Sequence, residues 1–387
     1  MPKTRRVALM LDLEWPYKRH VGVFTGAQKY AQDRGWHTFV DEYVDATLRA
    51  SPLKRPAYDG VIARASRKLA LSTKRLLVPV VNVWRSSPVW KSMPGVFPDY
   101  SAIGCLRAEH LLSRGVRRFA ALTSENDLGQ DLELQAFSGT IAEAGFSCAS
   151  TKVPLFAFPI KNWRKFERAL AGCIDDWVPP IGVYVGSDRD GRIVAQKCYD
   201  RGMRVPEDVS IIAGTNEETY CEGLRPTISS VEMDFERIGY EAAKLLDSLM
   251  NGEAPPATPL LIPPKGLVVR ESTDFFFVND AVIAAALKFI AEKCHKDIGQ
   301  DDVARAVATE LRTLQLRFEK YLGRSIAAEI RRVRIERAKR ELAQSDRSLT
   351  EIASAVGFGS TMRMCETFHR ELDISPSQYR KVRQTKK

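Results

Sequence analysis

Several aromatic and charged residues fall just past short apolar runs, where side chains from separate segments can converge on one ligand. Glu14, Trp15, Tyr17 and Arg19 follow the run from Val7 to Leu11. Trp84 and Arg85 follow Val78 to Val83, Asp188 and Arg189 follow Ile181 to Gly186, and Thr215, Asn216, Glu217 and Tyr220 follow Val209 to Ala213. An aromatic face covers the apolar C–H surface of a sugar ring, while carboxylate, amide and guanidinium groups exchange paired hydrogen bonds with adjacent hydroxyls. A buried polar group left without a partner costs about 1–3 kcal/mol, so such a set also rejects the wrong epimer. The same residue types serve equally as core packing and surface caps.

Enzyme chemistry finds little support. The chain has no GxxxxGK[ST], HExxH or GxSxG pattern, and His20, His37, His110, His295 and His369 form no cluster in sequence. The seven cysteines are widely spaced, odd in number and never paired as C-x-x-C. That pattern fits small buried side chains in a reducing compartment, hence the cytoplasm, and neither a metal nor a cofactor is expected. No run reaches the roughly 18 apolar residues of a membrane span. The net charge of +10 is uneven: from Asp280 onward 22 Lys/Arg face 15 Asp/Glu, a balance of +7. The C-terminal part therefore suits a polyanionic partner, with a solvated charged surface as the plain alternative.

The elements that must position these residues alternate. Strand-like runs at 7–11, 37–43, 58–63 and 78–83 are separated by helical stretches at 17–34 and 66–77. The rhythm restarts after Asp99, with helices predicted over 102–114, 132–144, 190–201 and 235–250 and strands over 118–123, 181–186 and 209–213. Such alternation predicts parallel sheets covered on both faces. Two successive α/β halves predict two lobes with a ligand cleft between them, and Asp99 falls at the crossing.

Phe97-Pro98-Asp99-Tyr100, Gly202-Met203-Arg204-Val205-Pro206-Glu207-Asp208-Val209 and Arg225-Pro226-Thr227-Ile228-Ser229-Ser230-Val231 occur in that order, ending in Leu267-Val268-Val269-Arg270-Glu271-Ser272-Thr273. This resembles the LacI-type periplasmic-binding-protein fold over about residues 5–275. The resemblance implies that Glu14, Tyr17, Arg19, Trp84, Arg85, Asp99, Asp188 and Asn216 bind a small ligand. Asp188 and Asn216 match positions often used in the family. Members often carry Asp where this chain has Thr215, which changes the hydroxyl pattern that can be recognised.

From Asp280 onward no strand is evident. Helical spacing marks 281–293, 301–308, a stripe of Leu314, Phe318, Tyr321 and Leu322, and a long helix over 326–343 rich in arginine. The arginines suit phosphates or ion pairs with Glu336 and Glu341. Ser348 to Phe358 reads as a capped short helix with a turn at Gly357, and Ser360 caps a second helix to about Leu372. With Arg334 to Leu342, Phe368 and Ser375-Pro376-Ser377-Gln378-Tyr379-Arg380, this run resembles the AraC-type DNA-binding domain. That family uses two helix-turn-helix units, here about 300–322 and 349–372, joined by the helix 326–343. Their second helices enter successive major grooves about 34 Å apart. Carried over by position, Arg312, Gln315 and Arg317 would face DNA in the first unit, and Thr361, Met362, Arg363 and Glu366 in the second. Arginine suits guanine, glutamine adenine, and glutamate cytosine. Three residues depart from the family pattern. Glu310 stands where a serine cap is usual, leaving Thr309 or Glu310 to cap that helix. Met364 replaces an aromatic, and Glu366 often corresponds to Arg.

The expected architecture is thus an α/β two-lobed periplasmic-binding-protein-like domain at 1–275, with parallel sheets and helices on both faces, followed by an all-α double helix-turn-helix domain at 276–387. Sensor ahead of reader is the arrangement of the XylR-like regulators, which the chain resembles along its entire length. The resemblance implies a dimeric activator of sugar catabolism that binds operator DNA, takes xylose or a related monosaccharide as effector and engages RNA polymerase. The alternative is a ligand-controlled repressor answering to a non-sugar metabolite.

Overall fold

A computed structural model describes residues 4–13, 17–52, 56–154, 159–278 and 280–385. The first lobe is a parallel sheet of order β2-β1-β3-β4, with β1 (Arg6–Met10), β2 (His37–Val40), β3 (Gly60–Ala63) and β4 (Val80–Asn82). Helices α1 (Lys18–Asp33), α2 (Val44–Ala50) and α3 (Arg67–Leu76) connect them. Every residue of β3 and β4 is buried. One sheet face packs on Val23, Ala27 and Ile238, the other on Val44, Leu48 and Leu69. Burial on both faces is why these strands read as continuous apolar runs instead of alternating ones.

The chain crosses to the second lobe through β5 (Val96–Pro98), and α4 (Tyr100–Ser113) begins at once. The second lobe contains β6 (Phe119–Ser124), α5 (Leu128–Glu143), β7 (Cys148–Val153), α6 (Ile160–Asp175), β8 (Ile181–Val185), α7 (Asp188–Asp200), β9 (Val209–Ala213), α8 (Glu218–Cys221) and β10 (Ser229–Glu232). Helix α9 (Phe235–Met250) returns to the first lobe, and β11 (Leu260–Ile262) pairs with β5 at the crossing. Strand β12 (Gly266–Val268) closes a six-stranded sheet of order β12-β10-β9-β8-β6-β7, parallel except at β12. The alternating α/β architecture matches the sequence reading. The sequence reading did not include β7, whose mostly solvent-facing Ser, Thr and Lys hide the strand pattern, nor α2 and α6.

The rest is helical: α10 (Ala281–Lys293), α11 (Gln300–Ala306), α12 (Leu311–Leu322), α13 (Ile326–Gln344), α14 (Leu349–Val356), α15 (Thr361–Leu372) and α16 (Pro376–Thr385). Two cores form. One gathers Ile283, Leu287, Leu314, Phe318 and Ile330, and the other gathers Ile335, Leu342, Ile352, Met364 and Phe368. Helix α13 supplies apolar residues to both, so it ties the two units into one body. The join to the sensor is a strap, Phe275-Phe276-Phe277. Alternation along an extended chain turns Phe276 into the helical core and Phe277 against the second lobe. Arg114, at the C-terminal end of α4, lies 4.4 Å over the Phe276 ring, and its carbonyl accepts from the Phe277 amide at 2.8 Å.

Candidate functional site

The strand ends of both lobes meet in a cleft. Arg19 and His20 come from α1, Arg64 from the residue after β3, Trp84 from the loop after β4, and Tyr100 from the start of α4. These five side chains line one small cavity. The lobes also bind each other beside it. The Lys18 amide donates to Glu217 at 2.9 Å and its ammonium to Glu232 at 2.8 Å, while the Ser86 hydroxyl donates to Asp127 at 3.2 Å.

His20 is locked as a neutral ring. Its Nδ1 sits 2.8 Å from the Asp12 carbonyl, which can only accept, so Nδ1 carries the proton and Nε2 accepts from Arg19 Nε at 3.1 Å. Burial, with help from the Arg19 charge, lowers its pKa to about 4. Arg64 pairs with Asp12 and lies 4.8 Å over the Trp84 ring. Burial pushes its pKa down, against the pull of Asp127. Burial also raises the Tyr100 phenol, so it remains a hydrogen-bonding hydroxyl.

The sequence-expected ligand residues divide. Arg19 and Trp84 line the cavity, and Tyr17 sits at the mouth of α1 with its ring under Arg19 at 5.3 Å. Glu14 lies outside the described residues. Arg85, on the same loop as Trp84, stacks on Trp90 at 3.4 Å. Asp99 caps α4, accepting from the Ala102 amide at 3.0 Å. Asp188 and Asn216 turn away from the cavity. Asp188 is 2% exposed and accepts from the Thr215 and Glu217 amides, each at 2.9 Å, and from the Ser230 hydroxyl at 2.6 Å. Asn216 bridges Glu232 and Arg270, the latter donating at 2.8 Å. Asp188 thus ties the ends of β8 and β9 to β10, and Asn216 ties the end of β9 to β10 and Arg270. Sequence reasoning passed over Arg64, His20 and Tyr100. Arg64 follows a strand end directly, so the rule that picked Arg85 also covers it.

A second polar cluster is sealed inside the second lobe. Arg107 is fully buried and bonds Glu133 and, at 2.6 Å, the Gly214 carbonyl, while the Tyr184 hydroxyl donates to Glu133 at 2.6 Å. Burial lifts the Glu133 pKa against the pull of Arg107.

In the helical domain the starts of α14, α15 and α16 are capped by side chains. Ser348 and Glu351 form a reciprocal capping box on α14. Ser360 caps α15, and Ser375 and Gln378 exchange bonds of 2.8 and 3.1 Å ahead of α16. Arg380 then donates to the Arg347 carbonyl at 2.6 Å, and Tyr379 meets Phe368 edge-on. Helix α12 corrects the capping expectation. Glu310 makes no side-chain cap, and the Thr309 hydroxyl turns back to the Val307 carbonyl at 3.1 Å.

Two arginines of α13 turn to backbone carbonyls, while Arg332 pairs with Glu329 at 2.7 Å. Arg334 donates to the carbonyls of Cys294 and Lys296, both at 2.8 Å, and Arg337 to that of Ala291 at 2.6 Å. They cap the C-terminal end of α10, where carbonyls lack helical partners and the dipole favours cations. Gly357 packs against the same end, and a Cβ there would lie 2.2 Å from the Cys294 oxygen. The two helix-turn-helix units are therefore clamped at a fixed separation.

On the first second-helix, α12, Arg312 is exposed, while Gln315 bonds Gln300 at 3.1 Å. Arg317 pairs with Asp280, the cap of α10, at 3.0 Å, which makes it a brace rather than a free reader. On α15, Met362, Arg363 and Glu366 stand exposed on one face, beside Thr361, which is tied to Thr350 at 3.1 Å. Two such helices, fixed by one spine behind a two-lobed cleft, define a ligand-sensing, DNA-binding transcriptional regulator.

The comparisons agree. Residues 108–273 match the periplasmic binding protein-like domain family, and residues 303–382 match a helix-turn-helix domain family. The xylose operon regulatory protein of Escherichia coli (strain K12) is 29% identical over 98% of each chain. That of Haemophilus influenzae is 26% identical over 97% of this chain and 98% of its own. The solved structure of the xylose-binding transcription activator xylR superposes with a TM-score of 0.61 and 26% identity, covering 98% of this chain and 99% of that one. The transcriptional regulator CelR, solved with cellobiose, shares the sensor fold at a TM-score of 0.56, with 23% identity over 70% of this chain and 86% of that one. Over its whole length the chain is similar to the xylose operon regulators, and it joins a periplasmic binding protein-like domain to a C-terminal helix-turn-helix domain. Among the described residues no helix is long and apolar enough to cross a membrane.

Proposed function

We propose that the protein activates a sugar-catabolic operon as a homodimer on operator DNA, acting in the cytoplasm, engaging RNA polymerase and binding its effector without transforming it. The observation that carries this reading is the pair of helix-turn-helix units locked by α13 and hung from a two-lobed sensor. Full-length likeness to xylose operon regulators supports xylose or a related monosaccharide as effector. Arg19, Arg64, Trp84 and Tyr100 hold it, with Tyr17 at the entrance. Arg312 and Gln315 read bases in one groove, and Thr361, Met362, Arg363 and Glu366 in the next.

The route between the sites is α4. It starts at Tyr100 in the cleft and ends at Arg114 on the Phe276–Phe277 strap, 14 residues or about 21 Å. Beside the strap, sensor and reader are separated by a charged groove of about 720 Å³ that includes Arg117 and Lys265 on one side and Arg337 and Glu341 on the other. A polar contact of this kind leaves room for rotation. The effector shifts activity by binding one lobe arrangement better than the other.

The test is selection of duplexes from a random pool by the full chain. Expected sites hold two blocks per protomer about 10–10.5 base pairs apart. Their affinity should fall with salt by about 0.9 log units per log unit for each phosphate neutralised. Added sugar should change that affinity and be recovered intact. Salt-insensitive binding, or no enrichment, contradicts the reading.

A further inference from the structure

The cleft is rich in hydrogen-bond donors and poor in free acceptors. A guanidinium offers only donors. Sugar hydroxyls both donate and accept, so a neutral sugar is best met by a mixture that includes carboxylates. Among the described residues the carboxylates beside the cleft already hold partners. Asp188 points into the fold, and Asp12 is paired with Arg64. One oxygen of Asp127 already accepts from Ser86 and from the Gly129 and Gln130 amides. Position 215, beside them, is a threonine.

The cations are not spent in the same way. Arg19 gives its Nε to a neutral imidazole, and among the described residues it has no carboxylate partner. Arg64 gives one Nη to Asp12 and lies 4.8 Å over the Trp84 ring in the same cavity, with its other N–H groups left for a ligand. Arg85 is held between Trp90 and Phe97, and among the described residues one of its buried Nη atoms has no hydrogen-bond partner. Tyr100, against which the Arg19 and Arg85 charges act, completes the wall.

We infer that the effector is a monosaccharide carrying an anionic group, carboxylate or phosphate, with that group bound by the guanidiniums of Arg19 and Arg64 and favoured by the field of Arg85. The inference rests on the sugar-effector reading above and narrows it. Trp84, already covered by Arg64 on one side, orients the guanidinium plane, and a planar fork matches either oxyanion with two parallel bonds.

Calorimetry and thermal shift on the full-length protein test this with matched pairs: D-xylose and D-xylonate, then D-glucose against D-glucuronate and D-glucose 6-phosphate. The charged member should bind at least tenfold tighter than its neutral partner, with the margin shrinking between 50 and 300 mM salt as the Debye length shortens about 2.5-fold. Preference for the acid or for the phosphate separates the two sources of charge. Arg64→Gln should erase the margin. If that variant misfolds, Arg19→Lys keeps the charge but loses the fork, and should weaken the charged ligand several-fold. A neutral sugar that binds as tightly as its charged partner overturns this inference and leaves the sugar reading standing. Failure of every compound, charged and neutral, overturns both.

Discussion

Gly357→Ala probes whether the two DNA-reading units are held as one body. Gly357 closes α14 at φ 90°, ψ 22°, a left-handed conformation. An L side chain there costs about 1–2 kcal/mol. The new Cβ would also lie 2.2 Å from the Cys294 carbonyl oxygen and 3.0 Å from Arg334 Nε. Relieving that overlap costs a further 1–3 kcal/mol or so. The reader should therefore lose about 2–5 kcal/mol. Gly359→Ala is the internal control. Its φ is +69°, and a Cβ there meets nothing within 4 Å, so only the backbone cost applies. All six tryptophans lie at or before Trp177, so tryptophan fluorescence has no probe within the reader. Hydrogen exchange of amides in α10 and α14 within the full chain is the suitable assay. If the two variants differ by less than about 0.5 kcal/mol, the scatter of ordinary surface changes, then the contact at Cys294 does not hold the units together.

Arg107→Met leaves Glu133 buried without its cation and should cost about 3–5 kcal/mol. Adding Glu133→Leu should recover part of that loss, as thermal unfolding would show. His20 is neutral in the fold because its pKa lies near 4 instead of the ordinary 6.5. The unfolded chain gains a proton below pH 6.5 that the folded chain does not take up until about pH 4. Stability should thus fall as pH drops through that window, and His20→Gln should flatten that share of the slope in pH-dependent denaturation. Arg363→Ala should cost about 1–3 kcal/mol of operator affinity and relax one base position. Arg317→Ala should leave base preference unchanged and loosen the start of α10, as selection and hydrogen exchange would distinguish. Asp188→Ala strands two amides and a hydroxyl at about 1–3 kcal/mol each. It should destabilise the sensor without any effector present, whereas lost effector binding at unchanged stability would restore a direct ligand role to this residue.

Composition and local spacing marked an α/β part followed by a basic helical one, and the resemblance of particular motifs supplied the class of the protein. Strands such as β8, IGVYV, are apolar at every position because both faces of a parallel sheet are covered, and that property is written along the chain. The helix-turn-helix units were legible for a related reason. The Ser348–Glu351 box, Gly357 and the Ser360 cap act over a few residues, so their spacing carries the signal. What each polar side chain does was decided elsewhere. Asp188 and Arg64 both follow strand ends, yet one is drawn inward by a hydroxyl at Ser230, 42 residues away, while the other lies over Trp84 in the cleft. Likewise the arginines of α13 resemble a phosphate-binding face in sequence. The fold brings the open carbonyls of α10, about forty residues earlier, within 2.8 Å of Arg334. Periodicity tells which face of an element is buried, but a polar group's partner is set by whichever unsatisfied donor or acceptor the tertiary packing puts beside it.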